Sequence, residues 1–281
     1  MNEVREIAFA KVNLWLEILG KREDGFHELE TVMHEIGFFD EIFIEESESF
    51  SFTVDDPSVG IGEDNLAIKA LRAVEGAVGR SLPCRIRLQK NIPAGGGLGG
   101  GSSDAAAVIR GLNRLFHLGF SIARMEEIAA LFGSDTAFFV RGATSMCRGR
   151  GEIIEPIKTS AQFAFVMVFP GIHVPTGPIF QALQLTGPPV EPYDFLKELS
   201  LENGDSIRPM LFNRMEDAAM RVHPDLAVLL SLLKPKGFMM SGSGSTLFLL
   251  ATSRDRAESV ASDLERKHGL KTLVVTSAVR S

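Results

Sequence analysis

The sequence predicts an α+β fold in which two domains are built mainly from antiparallel sheets. Three observations support this prediction. Apolar side chains at 8–16 recur with a period of two, which is typical of a strand. A run of glycines at 95–101 leads directly into an amphipathic helix. After residue 154 the chain changes to short apolar strands, a stretch rich in proline and glycine, and further helices, which indicates a second domain.

The N-terminal part is predicted to begin with a sheet. Its first strand, 8–16, is followed by a turn at 20–25 and by extended segments around 29–36 and 41–46. A helix is then predicted from Asn65, whose side chain suits an N-cap, to about Val78. A strand at 84–90, the glycine run with its helix, and a helix from Ser121 to about residue 132 follow.

The C-terminal part is predicted to contain a second, smaller set of strands and helices. In chain order these are a strand at 163–169, a loop-rich stretch at 170–192, helices near 209–222 and 224–233, a glycine-serine turn at 241–246, a strand at 247–251, a helix at 254–268 and a strand at 272–276. We expect a boundary near residue 157, which divides the chain into domains of 1–157 and 158–281.

The glycine run is the most informative stretch of the chain. Six of the seven residues at 95–101 are glycine, so this segment must need left-handed φ angles or a close approach to a ligand. Ser102 is predicted to cap the helix that follows. A glycine loop before a helix N-terminus directs free N–H groups and the positive end of the helix dipole to one point. The segment is therefore interpreted as a phosphate-binding loop.

Three other interpretations of this segment fit less well. Gly95, Gly97 and Gly100 have the spacing of a dinucleotide fingerprint, but residues 118–124 join two helices and supply no acidic residue after a second strand. A Walker loop needs a lysine where Ser102 stands. A flexible linker is disfavoured because an amphipathic helix follows at once.

The composition restricts the possible partners. The formal net charge of −7 argues against nucleic acid, so a phosphorylated ligand would be small and held by local donors. The most apolar run, 163–169, is too short to cross a bilayer, and the N-terminus lacks signal character, so we expect a cytoplasmic protein without membrane contact. Cys84 and Cys147 form no metal-binding motif. The sequence indicates no protein partner.

Several motifs together resemble the GHMP kinases. They lie at 10–14, 24–29, 93–106, 133–135, 148–152 and 241–246, so that the resemblance extends from residue 8 to residue 250. Those at 10–14 and 24–29 resemble the branch whose acceptor carries a cytidine diphosphate group. The resemblance implies a two-domain GHMP-kinase fold, ATP as co-substrate, Mg²⁺, and phosphorylation of a small-molecule hydroxyl in isoprenoid precursor biosynthesis. It also implies that the turn at 241–246 packs beside the glycine loop.

The resemblance assigns catalysis to two residues. Asp135 matches the family's catalytic base, and a carboxylate beside the attacking hydroxyl can accept its proton. Lys11 matches the catalytic lysine, which would keep Asp135 ionised and stabilise developing negative charge. From the residues alone, Asp135 suits equally well a cap on a short helix at 136–140. Lys11 suits equally well a strand lysine whose ammonium extends to solvent.

The same resemblance assigns the ATP site. The predicted ATP-binding residues are Asn65, Leu66, Lys90, Pro93, Ala94, Gly95, Gly96, Gly97, Leu98, Gly99, Gly100, Gly101, Ser102, Ser103 and Asp104. The loop would hold the phosphates through its backbone. Asn65, Leu66 and Lys90 would border the adenine. For Asn65, an N-cap is an equally good interpretation. The metal ligands stay unassigned, because Mg²⁺ often retains several waters and leaves little trace in sequence.

The acceptor site is predicted to combine aromatic rings with polar groups. By the resemblance, Phe26 and Phe180 stack on cytosine, His27 reads its edge, and Asn13 and Thr176 bind the acceptor. Phe26 stands where the family usually has tyrosine, so the ring is kept and a phenolic hydroxyl is lost. The closest alternative is another GHMP kinase of the homoserine or mevalonate type. An oxidoreductase and an inactive nucleotide-binding module are more distant alternatives.

Overall fold

The computed structural model describes residues 3–202 and 204–280, and it confirms an α+β structure. The elements of the first part are β1 (Glu3–Lys21), β2 (His27–Glu46), β3 (Ser51–Val54), α1 (Leu66–Val78), β4 (Cys84–Gln89), α2 (Gly100–Leu115), α3 (Ile122–Ala129), α4 (Thr136–Arg141), β5 (Thr144–Gly149) and β6 (Ile153–Pro156). The remaining elements are β7 (Ala164–Val168), α5 (Thr176–Gln181), α6 (Tyr193–Ser200), α7 (Gly204–Ile207), β8 (Phe212–Asn213), α8 (Glu216–Val222), α9 (Pro224–Leu233), β9 (Met239–Met240), β10 (Leu247–Ala251), α10 (Arg254–His268) and β11 (Thr272–Thr276).

Two of the predicted helix boundaries are wrong. The helix expected at 209–222 is confined to α8, because Asn213 is in a short strand and its side chain donates to the backbone oxygens of Met240 and Gly242, each over 2.8 Å. The helix that starts after Ser121 ends at Ala129, although Ser121 caps it as expected.

The chain forms two compact units that alternate along the sequence. Within the described residues, unit 1 comprises 3–10, Phe38–Ala94 and Gly99–Gly142, and unit 2 comprises Lys11–Gly37, Gly95–Leu98 and 143–280. The long strands β1 and β2 therefore contribute residues to both units. The division into domains of 1–157 and 158–281 stays a prediction.

Unit 1 combines a small sheet with four helices. The end of β2 pairs antiparallel with β4, from Glu41 opposite Gln89 to Glu46 opposite Cys84, and β4 pairs parallel with β3. Helix α1 packs along α2, and α4 packs on both α2 and α3. Helix α2 is buried over most of its length because small residues, among them Ala105, let its neighbours approach closely.

Unit 2 contains a four-stranded antiparallel sheet in the order β11-β7-β10-β9. Its strand β7 is buried throughout, since both neighbouring strands pair with it and α10 packs against it. The first part of β2 pairs antiparallel with β5, which pairs antiparallel with β6, while β1 pairs parallel with β8 at Trp15 and Leu16. The core of unit 2 joins this sheet to α8, α9 and α10 through Val166, Ala218, Leu230 and Leu264.

Of the helices in the described residues, none combines the length and the apolar character that crossing a membrane would require.

Candidate active site

The glycine loop adopts the left-handed backbone that its composition predicts. The φ angles of Gly95, Gly97 and Gly99 are 70°, 74° and 71°. Residues that carry a Cβ atom rarely adopt this left-handed region. Helix α2 begins at Gly100, with Gly99 as its N-cap residue. The expectation that Ser102 is the N-cap is therefore wrong: the left-handed turn at Gly99 starts the helix earlier, and Ser102 lies in the first turn. The free N–H groups of this turn follow the loop directly.

The middle of the loop is held by the late glycine-serine turn within unit 2. Ser241 Oγ donates to the carbonyl oxygen of Gly97 over 2.9 Å, and the backbone N–H of Thr246 donates to the carbonyl oxygen of Gly96 over 3.2 Å. A Cβ atom at position 97 would lie 2.1 Å from the backbone oxygen of Ser241. The turn at 241–246 thus packs beside these loop residues, as expected, and leaves no room for a side chain at Gly97.

Lys11 is buried in unit 2 and its ammonium contacts the loop. Lys11 is only 3% exposed. Its Nζ donates to Asn13 Oδ1 over 2.6 Å and to the Gly97 carbonyl oxygen over 2.9 Å. The alternative of a strand lysine that extends to solvent is therefore wrong. Asn13 is fixed in turn, because its Nδ2 donates to Thr31 Oγ1 over 2.8 Å. Lys11, Asn13 and Gly97 form one hydrogen-bonded group.

Asp135 lies in unit 1, directly before α4. It occupies the N-cap position of that helix with φ −85° and ψ −10°, but its side chain makes no capping hydrogen bond. Its carboxylate is only half-buried. Because the side chain does not cap the helix, the structural alternative for Asp135 loses its main support, and the role of a base stays a prediction.

Asn65 and Leu66 stand at the start of α1 in unit 1. Asn65 Oδ1 accepts from the N–H of Ala67 over 2.8 Å, and Asn65 Nδ2 donates to the Gly60 carbonyl over 2.6 Å. The capping interpretation of Asn65 is thus correct, and both ends of its amide are engaged. A Cβ atom at Gly101 would lie 3.6 Å from Leu66 Cδ1, so Leu66 lies close to the first turn of α2.

Lys90 and Asp104 belong to a buried charged cluster in unit 1 that also contains Asp40. Lys90 Nζ contacts Asp40 Oδ2 and lies 3.3 Å from Asp104 Oδ2. Burial raises the pKa of the Asp104 carboxyl well above its usual range; Lys90 opposes this shift and Asp40 adds to it. Sequence reasoning missed Asp40, and the only available signal was a lone acidic residue after an apolar strand segment.

The predicted acceptor residues occupy unit 2. The rings of His27 and Phe180 stack on each other, with centroids 4.9 Å apart and planes inclined by 24°. Phe26 is 51% exposed, and the guanidinium of Arg150 lies 4.5 Å from its ring centroid, a neighbour that sequence reasoning missed. Burial lowers the pKa of His27, and the positive charge of nearby Lys21 lowers it further, which favours the neutral imidazole.

The other acceptor residue, Thr176, lies at the start of α5. Its Oγ1 is 2.9 Å from Ser243 Oγ in the late glycine-serine turn, so unit 2 brings Thr176 next to the turn that also contacts Gly97. Among residues 3–202 and 204–280, no group of three or more His, Cys, Asp or Glu side chains could hold a metal ion.

Comparisons with known proteins agree over nearly the whole chain. Residues 65–143 match the model of the GHMP kinases N terminal domain, and residues 195–270 match that of the GHMP kinases C terminal domain. The chain is 35% identical over 267 residues to a curated 4-diphosphocytidyl-2-C-methyl-D-erythritol kinase of Desulfitobacterium hafniense, covering 92% of this chain and 91% of that protein. The same name belongs to a Carboxydothermus hydrogenoformans protein that is 35% identical, with 89% of each chain covered.

Solved structures give the same result. A crystal structure of 4-(cytidine 5'-diphospho)-2C-methyl-D-erythritol kinase matches with a TM-score of 0.82 and 32% identity, covering 98% of this chain and 100% of the other. A homoserine kinase from Cytophaga hutchinsonii matches with a TM-score of 0.72 at 16% identity, covering 99% of this chain and 95% of the other. The second match shows a shared fold alone.

Proposed function

The chain belongs to the GHMP kinases and, within them, to the 4-diphosphocytidyl-2-C-methyl-D-erythritol kinases, and from this we propose how its residues serve the reaction. The enzyme transfers the γ-phosphoryl group of ATP to the 2-hydroxyl group of 4-(cytidine 5'-diphospho)-2-C-methyl-D-erythritol, a step of isoprenoid precursor biosynthesis. The structural observation that best supports this activity is the left-handed glycine loop that leads directly into the N-terminus of α2.

The glycine loop binds the ATP phosphates through its backbone. Residues 93–101 present N–H groups, and the 16-residue helix α2 adds the positive end of its dipole where phosphate charge is greatest. Asn65, Leu66 and Lys90 border the adenine. Because both ends of the Asn65 amide are already hydrogen-bonded, this residue contributes through its cap and backbone more than through a free side chain.

Lys11 and Asp135 carry out the catalytic work. Phosphoryl transfer needs an aligned hydroxyl, neutralised phosphates and a proton acceptor. Asp135 accepts the proton of the attacking hydroxyl, for which its partly exposed side chain, directly before α4, is suited. Lys11 stabilises negative charge on the transferred group, and its ammonium is fixed by Asn13 and Gly97 before ligands arrive. Such preorganisation avoids a reorganisation cost during the reaction.

The start of α2 suits Mg²⁺ bound together with ATP. Mg²⁺ prefers hard oxygen ligands and usually takes only one or two from the protein when phosphates supply others. Ser102 is half-buried in the first turn of α2, whereas Ser103 and Asp104 are almost fully buried, so Ser102 is the residue of the three best placed to reach the ion. When bound, Mg²⁺ neutralises phosphate charge and aligns the transferred group.

The acceptor is recognised through its cytidine diphosphate group. Phe26 offers a half-exposed ring to the cytosine, and Phe180 and His27 supply a second aromatic surface. A neutral His27 can both donate to and accept from the polar edge of a pyrimidine. Asn13 and Thr176 bind the remainder of the acceptor. We place the enzyme in the cytoplasm, where ATP and its phosphorylated acceptor are present.

A phosphate-transfer assay with Mg²⁺ and ATP tests this function directly. The purified chain is offered three acceptors at equal concentration: 4-(cytidine 5'-diphospho)-2-C-methyl-D-erythritol, homoserine and mevalonate. We expect ATP-dependent phosphorylation of the first and little of the other two. Preference for homoserine or mevalonate would assign the chain to another GHMP kinase activity, an alternative that rests so far on a shared fold at 16% identity.

A further inference from the structure

Three charged side chains are buried together in unit 1. The side chains of Asp40, Lys90 and Asp104 are 0%, 4% and 4% exposed. Lys90 Nζ contacts Asp40 Oδ2 and lies 3.3 Å from Asp104 Oδ2. Removing charges from water is unfavourable, and apolar residues of similar volume often give equal or greater stability. The cluster is therefore poorly explained by fold stability alone.

Asp40 fixes the chain just before the glycine loop. Its Oδ1 accepts from the backbone N–H groups of Asn91 and Ile92, over 2.5 Å and 2.8 Å. These are the two residues that precede Pro93, where the predicted phosphate-binding segment begins. One carboxylate oxygen of Asp40 thus holds the start of the loop, while its other oxygen contacts Lys90.

Lys90 reaches the segment in which the loop ends. Its ammonium lies beside Asp104, in the second turn of α2, and a Cβ atom at Gly100 would lie 2.9 Å from Lys90 Nζ. The first turn of α2 therefore packs directly against this ammonium. Lys90 is itself restrained, because its backbone N–H donates to Asp55 Oδ1 over 2.8 Å.

We propose that Asp40 is a positioning residue for nucleotide binding: it holds the start of the phosphate loop directly and the end of the loop through Lys90. The loop between these two points is then preorganised for the phosphates of ATP. The proposal rests on the proposed function, since it assigns ATP to this loop. In this proposal the Lys90 ammonium is engaged by Asp40 and Asp104 inside the protein. Lys90 would then contact the nucleotide through its backbone or the apolar part of its side chain.

The cluster predicts unequal roles for its two carboxyl groups. Asp104 Oδ1 is buried and has no hydrogen-bond partner within the described part of the chain. Asp40 both contacts Lys90 and accepts from the backbone N–H groups of Asn91 and Ile92, whereas Asp104 is joined to Lys90 over 3.3 Å. Replacing Asp104 by asparagine keeps the size and shape of its side chain. Asp104→Asn should therefore disturb ATP binding less than Asp40→Asn.

The test compares buried ion pairs in the two units. In Asp40→Asn the amide keeps an oxygen for Asn91 and Ile92 but places an NH₂ group where Lys90 needs an acceptor. Lys90→Met removes the ammonium and keeps the apolar stem, so it serves as a second variant if Asp40→Asn does not fold. The matched control is Glu17→Gln, which breaks the buried pair of Glu17 with Arg214 in unit 2.

The Kd for Mg²⁺-ATP is measured by calorimetry on each full-length variant, together with Tm and the KM for the cytidine acceptor. We expect Asp40→Asn and Lys90→Met to raise the Kd about tenfold or more, because a loop that is no longer preorganised must be ordered when ATP binds, and that ordering lowers affinity. The acceptor KM should stay unchanged. Glu17→Gln should lower Tm and leave the ATP Kd unaltered.

Two results would overturn the proposal. One is an unchanged ATP Kd in Asp40→Asn or Lys90→Met despite a lowered Tm, which would make the cluster purely structural. The other is an equal rise in Kd in Glu17→Gln, which would show a general effect of stability. A wild-type chain that binds no ATP would instead contradict the proposed function, so the two failures are distinguishable.

Discussion

Lys11 donates a hydrogen bond from Nζ to the carbonyl oxygen of Gly97 over 2.9 Å. The backbone N–H of Lys11 also donates to the carbonyl oxygen of Leu98 over 3.0 Å. Strand β1 is thereby joined to two consecutive residues of the glycine loop. Because both contacts come from one residue, the ammonium has a fixed position relative to the loop backbone. A cation fixed in this way is suited to stabilise phosphate charge without moving.

The first prediction concerns this cation. We expect Lys11→Met to lower kcat about 10²–10³-fold, as is typical when a preorganised group that stabilises charge is removed. The fold should persist with a stability loss of about 1–3 kcal/mol, because buried acceptors lose their donor. Circular dichroism and steady-state kinetics measure the two effects. Lys271→Met, which changes an exposed lysine of unit 2, is the control. Normal turnover by Lys11→Met would remove Lys11 from the mechanism.

The second prediction tests the base. Asp135→Asn keeps the size of the side chain and removes the proton acceptor, so ATP should still bind while kcat falls on the order of 10²–10⁴-fold. Because asparagine keeps the shape of the side chain and one acceptor oxygen, the change should have little effect on Tm. Calorimetry with Mg²⁺-ATP and a turnover assay separate binding from chemistry. A lowered Tm with nearly normal kcat would indicate that Asp135 has a structural role instead.

The sequence predicted features that local chemistry determines. The cap at Asn65, one of two equally good interpretations of that residue, can be predicted because a cap depends on neighbours two or three positions away. The prediction that Ser102 is a cap is wrong, because serine and glycine both suit such positions and only the left-handed turn at Gly99 decides between them. Asp40 was missed entirely: its partners Lys90 and Ile92 lie about 50 positions away in sequence, and no local pattern reveals contacts of that range.

The third prediction concerns the space at Gly97. Even an alanine there would place Cβ 2.1 Å from the Ser241 oxygen, in a residue whose φ of 74° already disfavours side chains. We expect Gly97→Ala to displace the loop from the late turn and to weaken ATP binding strongly, with a smaller effect on the acceptor. Gly119→Ala is the control, because Gly119 has a similar φ of 71° and open space around its Cβ position.

The comparison of these two glycine variants is made by titration with each substrate. If Gly119→Ala weakens ATP binding as much as Gly97→Ala does, general backbone strain explains the loss. If Gly97→Ala lowers the affinity for both substrates equally, a folding defect explains it. Selective loss of ATP binding in Gly97→Ala alone supports the assignment of this loop to phosphate.

The fourth prediction is a pH dependence of stability that arises from His34. This buried side chain is hydrogen-bonded to Thr144 Oγ1 and Ser277 Oγ, each over 2.8 Å, and burial lowers its pKa from 6.5 to about 4. In the unfolded chain His34 therefore takes up a proton as the pH falls below 6.5, whereas in the folded chain it is protonated only near pH 4. Stability is full above pH 6.5 and falls across this interval, by about 2 kcal/mol between pH 7 and pH 5.

Urea unfolding at pH 7 and pH 5 measures this effect. His34→Gln keeps polar atoms for the two hydroxyl partners and cannot titrate, so its free energy of unfolding should change less with pH than that of the wild type. His27, whose pKa is also lowered, titrates in both proteins and cancels in the comparison. An identical pH dependence in the two proteins would show that His34 does not set it.

The last prediction tests recognition of the cytosine. Phe26 is 51% exposed and is not part of the stacked pair formed by His27 and Phe180, so its ring is accessible to a base. We expect Phe26→Ala to raise the KM for the cytidine acceptor by an amount equivalent to about 1–3 kcal/mol, the usual contribution of a base stacked on an aromatic ring. The KM for ATP should hardly change.

Phe26→Tyr is the matched control and should be close to neutral, because it keeps the ring and adds a hydroxyl. Methylerythritol phosphate, which lacks the cytidine, should be a poor acceptor, since remote binding energy positions the reacting hydroxyl. Equal kcat/KM values for the truncated and the complete acceptor, or a defect of Phe26→Ala in ATP binding alone, would contradict the assignment of Phe26 to cytosine.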